Sequence, residues 1–258
     1  MKYPALAIGI FLLSASLARA GLPAADLQEI GVSPAPGARI PTEFRWNDES
    51  GLPVTLGKAM AGRPTVLVFA DYTCSTLCGP VLTFVLDALE QSGLPPHDYR
   101  LVVLGLDPRD GPREAASMKK ARISADMVAL APIFLTADEA VIRQATQAVG
   151  YRFTYDAAHD QFAHPAAVLV LTGDGRVTRV LSGLGISAND FRLALVEAGQ
   201  GRIGTLGDQV RLLCYGFDPS TGIYTVSIYR ALAIASAVTI LLLAAAIGWL
   251  SLRRPRLS

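Results

Sequence analysis

The stretch that decides the fold spans residues 65–80 and reads TVLVFADYTCSTLCGP. Its first six residues are apolar and rich in β-branched side chains, a composition typical of a buried strand. The residues that follow Pro80 predict a helix up to Gln91, and proline is well tolerated in the first turn of a helix. The stretch therefore predicts a strand, a tight turn and a helix, with Cys74 and Cys78 in the turn.

Two thiols at such a turn suit two kinds of chemistry. Residues at i and i+4 of a helical turn have Cβ atoms roughly 5–6 Å apart. A disulfide needs about 3.5–4.5 Å, so a modest loop movement could join Cys74 to Cys78. A helix N-terminus also stabilises the thiolate, which attacks disulfides and binds Cu(I) or forms part of a zinc site. The pair alone leaves both chemistries open.

The rest of the soluble region alternates between strand and helix patterns. Turn residues 172–175 (TGDG) predict a hairpin, and Ser187 with Asp190 predicts the start of a last helix up to Ala198. We expect strands at 65–70, 100–106, 133–135, 166–171 and 176–181, helices at 80–91, 112–123 and 136–149, and an edge hairpin at 44–56. A capping box at Thr136 and Glu139 predicts the start of the third helix. This order indicates an α/β fold, a thioredoxin-like mixed sheet flanked by helices.

The N-terminal end has the pattern of a secretory signal peptide. Lys2 precedes a short apolar stretch, which ends in the small-residue sequence Ala18-Arg19-Ala20. That combination predicts export, with cleavage before Gly21. An uncleaved membrane anchor is the alternative, but the apolar stretch is shorter than the ~20 residues that a membrane span needs.

The C-terminal end predicts a membrane anchor. Residues 231–252 carry no charged side chain, and three arginines follow within residues 253–256. A span flanked in this way keeps its arginines in the cytoplasm, so the soluble domain would lie on the periplasmic side of the inner membrane. We therefore expect these segments: 1–20 signal peptide, 21–43 extended, 44–200 thioredoxin-like domain, 201–230 juxtamembrane, 231–252 transmembrane helix, 253–258 cytoplasmic tail.

Composition narrows the function classes. The chain has 258 residues and a formal net charge of +1, which indicates no role in binding nucleic acid. Its three cysteines are too few for a scaffold stapled by disulfides, and the odd one, Cys214, requires its own explanation. Cys214 could be a small buried apolar residue, an intermolecular disulfide partner or a resolving thiol for the pair.

A histidine near the two thiols would favour a metal site, and the chain has three. His97 and His159 lie in polar loops, which favours solvated side chains. His164 directly precedes the predicted strand 166–171. In a thioredoxin-like sheet this strand lies beside strand 65–70, so His164 would face the cysteine turn. A buried histidine with only a structural role is the alternative.

Three motifs in order resemble the Sco/SenC/PrrC family, thioredoxin-fold, membrane-anchored copper proteins of cytochrome c oxidase assembly. They are the Cys74–Cys78 pair with Pro80, the Asp107-Pro-Arg-Asp110 segment, and His164 ahead of a strand and a Gly-Asp-Gly turn. The resemblance covers about residues 44–199. The chain differs from the family pattern in Ser75 after the first cysteine, in Ala163 and Pro165 around the histidine, and in its C-terminal anchor.

The resemblance implies a copper site, Cu(I) or Cu(II), formed by Cys74, Cys78 and His164. It also implies a Cys74–Cys78 disulfide in the oxidised, empty protein. Asp107 would not bind copper itself but would orient His164 or the cysteine turn. The alternative is that Asp107 only caps the helix that follows Pro108. The implied partner is the copper-centre subunit of cytochrome c oxidase or another periplasmic copper protein. The domain would deliver copper to this partner, or would keep the partner's cysteines reduced.

A second function class stays open beside the metallochaperone. In a thiol–disulfide oxidoreductase, or a peroxidase-like relative, Cys74 would be the nucleophile and Cys78 the resolving thiol. His164 separates the two classes, because a copper site uses it as a ligand and simple disulfide exchange does not.

Overall fold

The computed structural model describes residues 30–74, 78–123, 130–219, 222–226 and 228–252. The predicted signal peptide at 1–20 and the predicted tail at 253–258 lie outside these residues. So do residues 21–29 of the predicted extended segment at 21–43.

A seven-stranded mixed sheet forms the centre of the domain, with the strand order β11-β10-β4-β5-β6-β2-β3. Its strands are β2 (Arg45–Asp48), β3 (Pro53–Thr55), β4 (Thr65–Ala70), β5 (Arg100–Gly105), β6 (Ile133–Thr136), β10 (Ala167–Leu171) and β11 (Val177–Ser182). The expected fold class is confirmed. The edge hairpin and the hairpin through the TGDG turn are also present.

The pairing of β10 with β4 positions the candidate site. β4 runs parallel to β5, and β5 runs parallel to β6. β10 runs antiparallel to β4, with Val168 opposite Val68. The segment that leads into β10 therefore lies beside the end of β4, as the sequence predicted for His164.

Seven helices are described. They are α1 (Leu56–Met60), α2 (Cys78–Gln91), α3 (Pro112–Arg122), α4 (Glu139–Ala148), α5 (Ala188–Ala198), α6 (Leu206–Cys214) and α7 (Ile228–Leu252). Apolar side chains fill both faces of the sheet. One face packs against α2 and α5, and the other is covered by α1 and α4.

The predicted capping box at Thr136 is wrong. Thr136 is the last residue of β6 and is paired with Asn47 of β2. α4 instead begins after Asp138, whose side chain makes no capping hydrogen bond. Pairing in the sheet holds Thr136 in extended backbone, so the helix starts later than the local sequence suggests.

Three two-stranded sheets were not predicted. β1 (Gly31–Val32) pairs with β7 (Tyr151–Arg152), and β8 (Thr154–Asp156) pairs with β9 (Gln161–Ala163). β12 (Tyr215–Asp218) pairs with β13 (Ile223–Val226). The region expected to be a simple juxtamembrane segment is therefore folded into α6 and a hairpin.

α7 is the one helix among the described residues that is long and apolar enough to cross a membrane. Its window Leu232–Trp249 has a mean hydropathy of 2.3, and none of that window is buried. An apolar helix of this length that packs on no core fits the predicted membrane anchor.

Candidate metal centre

The turn after β4 is held in place by Tyr72. Its hydroxyl lies 2.8 Å from the carbonyl oxygen of Leu135 and accepts a hydrogen bond from the Leu135 N–H at 3.1 Å. The Tyr72 N–H donates to the Asp110 carboxylate at 3.0 Å. Tyr72 is buried, and burial raises the pKa of its hydroxyl well above the ordinary value. These contacts fix the backbone directly ahead of Cys74.

Cys74 lies in this turn with a partly buried side chain. Its N–H donates to the Asp71 carbonyl at 3.3 Å, and its Sγ lies 3.9 Å from Oε1 of Gln161, in β9. Gln161 is three residues before His164 in the chain. The thiol of Cys74 therefore points toward the segment that carries the predicted histidine ligand.

Cys78 is the first residue of α2. The structure describes its backbone but not its side chain. The guanidinium of Arg122, at the end of α3, packs so closely on Gly79 that a Cβ there would collide with it. A helix N-terminus and a nearby cation are surroundings in which thiols in general ionise more readily.

His164 is oriented by Tyr151. The Tyr151 hydroxyl donates to the Pro165 carbonyl at 2.9 Å, and Nδ1 of His164 lies 2.9 Å from the same hydroxyl. Nδ1 also lies 3.2 Å from the Pro165 carbonyl oxygen, which can only accept. We therefore assign the proton to Nδ1, so that Nε2 is the ring nitrogen that carries the lone pair.

The surroundings of His164 favour its neutral form. Burial lowers the pKa of His164 below its ordinary value, and this effect is opposed by the Pro165 carbonyl and by the charges of Cys74 and Asp71. Because burial is the largest of these effects, it favours the neutral imidazole, which is the form that binds metal ions.

Asp71 is a site residue that the sequence reasoning missed. Its carboxylate is buried and accepts hydrogen bonds from the Thr73 N–H and hydroxyl, both at 3.0 Å. Its other oxygen accepts from the N–H of Phe162 in β9 at 2.9 Å. Asp71 thus links the cysteine turn to the segment ahead of His164. The signal was a charged residue placed directly after a wholly apolar strand.

Asp107, predicted to support the site, is buried and bound to Arg109. Its carboxylate accepts from the backbone N–H of Arg109 at 2.8 Å and from Nη2 of the same residue at 2.6 Å. Nη1 of Arg109 donates a second hydrogen bond, to the Asp160 carboxylate, at 2.8 Å. The described carboxylates that touch the cysteine turn are those of Asp71 and Asp110. A role for Asp107 in orienting His164 stays a prediction.

The other two histidines are placed elsewhere. His97 is exposed, with Nε2 3.5 Å from Asp98, and Nδ1 of His159 lies 2.7 Å from Asp156. Among the side chains that the structure describes, no three His, Cys, Asp or Glu residues form a metal site. The predicted third ligand, the Cys78 thiol, is not among those side chains. The structure thus brings two of the three predicted ligands together, and a thiolate with an imidazole is a donor pair suited to copper.

A groove with a volume of about 810 Å³ opens beside this site. Aromatic rings contribute to its wall, and the lining includes Tyr151, Phe153, Tyr155 and Phe162. Tyr151 lines the groove and also contacts His164 through its hydroxyl, so the groove adjoins the candidate ligand.

Comparisons with known proteins identify the family and the fold. The family model described as SCO1/SenC matches residues 32–191. A search of curated proteins gave no match.

Several solved structures share the fold. A SCO1/SenC family lipoprotein from Bacillus anthracis str. Ames is 16% identical with a TM-score of 0.53, and the match covers 62% of this chain and 95% of that chain. BsSco, a member of the Sco family of cytochrome c oxidase assembly proteins in which a disulfide switch was identified, is 19% identical with a TM-score of 0.53 and coverage of 66% and 98%. Arabidopsis thaliana ScoI, solved with copper bound, is 18% identical with a TM-score of 0.50 and coverage of 64% and 98%.

Proposed function

Because the chain belongs to the SCO1/SenC family, we propose that it binds copper through Cys74, Cys78 and His164. In this proposal it delivers copper to the copper centre of cytochrome c oxidase, or keeps the cysteines of that centre reduced. It is exported and held in the inner membrane by its C-terminal helix, with the domain on the periplasmic side. The copper-bound state of Arabidopsis thaliana ScoI and the oxidase-assembly role of the family of BsSco support this function.

The observation that carries the proposal is the meeting of Cys74 and His164 at the end of β4. They are 90 positions apart in the chain, yet the pairing of β10 with β4, the contact of the Cys74 Sγ with Gln161 and the Asp71–Phe162 hydrogen bond bring their segments together. Disulfide exchange at Cys74 requires no such partner. A neutral imidazole beside a thiol has the protonation state of a metal ligand.

Two thiolates and one imidazole form a donor set for Cu(I), since soft sulfur ligands select that ion. The Cys74 side chain is partly exposed, so a client thiolate could approach and exchange for one ligand. Copper is the cargo in this scheme. The chain's own groups hold it while Tyr151 and Asp71 keep the ligands in position.

The test is a Cu(I) titration of the reduced full chain in detergent, in competition with a chromophoric chelator. We expect His164→Ala to weaken Cu(I) binding by at least about tenfold, since it removes one ligand. His159→Ala is the matched control, because its imidazole pairs with Asp156. Equal affinity in wild type and His164→Ala would contradict the ligand assignment.

Thiol–disulfide exchange is the second candidate function, and the position of Cys78 as the first residue of α2 favours it. Reactive thiols are common at helix N-termini near a cation, and the guanidinium of Arg122 packs on Gly79 in this turn. In this reaction the Cys74 thiolate attacks a client disulfide and forms a mixed disulfide. The Cys78 thiolate then displaces the client as a dithiol, and the Cys74–Cys78 disulfide remains. Rapid reduction of insulin by the reduced chain, without copper uptake, would favour this function.

A further inference from the structure

α6 has two different faces. Its inner face carries Asp208, which is buried, and Leu212, which packs against the domain core. Its outer face carries Leu206 and Val210, which are 86% and 60% exposed. Residues at i and i+4 share a helix face, so these two side chains form one apolar stripe directed away from the domain.

The neighbour of α6 indicates what covers this stripe. α6 contacts α7, the helix long and apolar enough to span a membrane. An amphipathic helix beside a span can bury its apolar face at the boundary between headgroups and acyl chains. The stripe therefore lies on a helix that adjoins the proposed anchor.

Arg192 shows at which end of the domain α6 begins. This residue of α5 donates from Nη1 to the Ser92 carbonyl at 2.9 Å and from Nε to the Asp208 carboxylate at 2.6 Å. Ser92 directly follows α2, and Cys78 is the first residue of that helix. At 1.5 Å per residue, the two ends of α2 lie roughly 20 Å apart. The start of α6 is therefore at the end of the domain opposite to the cysteine turn.

The hairpin β12–β13 supports the same orientation of the domain, because it places the start of α7 at the end opposite to the site. Its tip, Gly222, lies against Ser182 at the site end of β11, where a Cβ added to Gly222 would be 2.8 Å from the Ser182 nitrogen. Farther from the tip, the Phe217 ring lies 4.8 Å from the Arg179 guanidinium, closer to the start of β11. Val226 ends the hairpin on that side, and α7 follows.

We infer that α6 lies in the membrane surface as a second membrane contact, through Leu206 and Val210, and holds the domain with Cys74 and His164 turned away from the bilayer. This inference rests on the proposed membrane anchoring by α7. Its consequence is that the site is presented roughly 20 Å above the level of α6, given the length of α2. A client must then offer its acceptor site at a distance from the membrane.

Fluorescence quenching by brominated lipid tests this arrangement in the full chain, reconstituted in vesicles of phosphatidylcholine and phosphatidylglycerol. The native tryptophans are Trp46, which is buried in the core, and Trp249, in α7. In a Trp249→Phe background, Leu206→Trp and Val210→Trp each place an indole on the stripe. Leu184→Trp is the control, because Leu184 is 52% exposed in the loop that follows β11 at the site end.

Lipids brominated near the top of their acyl chains should reduce the emission of the Leu206→Trp and Val210→Trp indoles by about twofold, since an interfacial helix lies at that depth. Leu184→Trp should keep its emission. Quenching of Leu184→Trp as well, or of none of the three variants, would overturn the inference. Trp249 of the otherwise unchanged chain reports separately on the anchor. If Trp249 is quenched and the Leu206→Trp indole is not, anchoring stands and only the second contact fails.

Discussion

The Asp71 carboxylate accepts a hydrogen bond from the Phe162 N–H at 2.9 Å and thereby joins the turn that carries Cys74 to the strand that leads to His164. Its second oxygen accepts from the N–H and hydroxyl of Thr73. A buried carboxylate is tolerated when donors satisfy it, and three donors do so here. The spacing between the two described candidate ligands therefore depends on Asp71.

Asp71→Asn should loosen this link. The single asparagine oxygen can accept a hydrogen bond from Thr73 or from Phe162, but not from both. The NH₂ group of the side chain then faces the N–H of the other residue, and two donors meet. We expect a loss of about 1–3 kcal/mol in the free energy of unfolding, as for a buried donor left unpaired. Cu(I) affinity should fall several-fold as well. Urea denaturation and the chelator competition measure the two effects.

Asp48→Asn is the matched control for Asp71→Asn. Like Asp71, Asp48 accepts hydrogen bonds from nearby backbone groups, here the N–H groups of Ser50 and Leu52 at 2.9 Å. It lies in the edge hairpin, away from the candidate site. One oxygen of Asp48 accepts both bonds, and asparagine keeps that oxygen, so the control should change neither stability nor Cu(I) affinity appreciably. If Asp71→Asn lowers stability and leaves affinity unchanged, Asp71 has no positioning role.

Tyr151→Phe tests how the histidine is held. The substitution keeps the ring that packs against Phe69, with centroids 4.5 Å apart, and removes the hydroxyl that holds Nδ1 of His164. The free energy of unfolding should fall by about 1 kcal/mol, the net value of one hydrogen bond. Nitrogen NMR should show a mixture of His164 tautomers in place of the Nδ1–H form, and Cu(I) should bind more weakly.

Tyr99→Phe serves as the control for that experiment. Tyr99 is also buried, but its hydroxyl makes no hydrogen bond to the protein atoms that the structure describes. Removing it should leave stability, tautomer and affinity unchanged. A His164 tautomer that stays uniform in Tyr151→Phe would show that the Pro165 carbonyl alone orients the ring.

Local patterns were sufficient to predict the centre of the domain. The apolar run at Thr65–Ala70 matches β4 at both ends, and His164 lies beside the cysteine turn because a thioredoxin-like order places β10 next to β4. Both results depend on short-range patterning and on a rule of sheet topology.

Long-range contacts account for what could not be predicted. Asp71 bonds to Phe162, 91 residues away, and no local pattern indicates that partner. The region after Ala198 folds because its polar groups meet α5, through Arg192 with Asp208 and the Tyr224 N–H with Asp190. In the sequence these charged and aromatic residues are far apart, and no local pattern indicates that they meet. Sheet pairing overrode the local helix signal at Thr136 in the same way.

Asp110 should make the stability of the protein depend on pH. Burial raises its pKa to about 6, and the charges of Asp107, Asp71 and Glu114 add to this, while the Tyr72 N–H opposes it. The folded state therefore holds this proton more tightly than the unfolded chain does. The stabilisation is complete below the ordinary aspartate pKa of about 4 and is lost as pH rises through about 6. Between pH 5 and 7.5 we expect a loss of about 1 kcal/mol from this group.

Asp110→Asn should remove that part of the pH dependence, because the asparagine oxygen can still accept from the Tyr72 N–H and carries no charge at any pH. Urea denaturation at several pH values between 5 and 7.5 compares the two slopes. Asp174→Asn is the control. Asp174 is exposed, and its hydrogen bonds to Thr172 and Arg39 lower its pKa to about 2, so it stays ionised over this range. The Asp174→Asn slope should match wild type. An Asp110→Asn slope equal to wild type would show that Asp110 is already ionised at pH 5, and that the surrounding carboxylates do not raise its pKa.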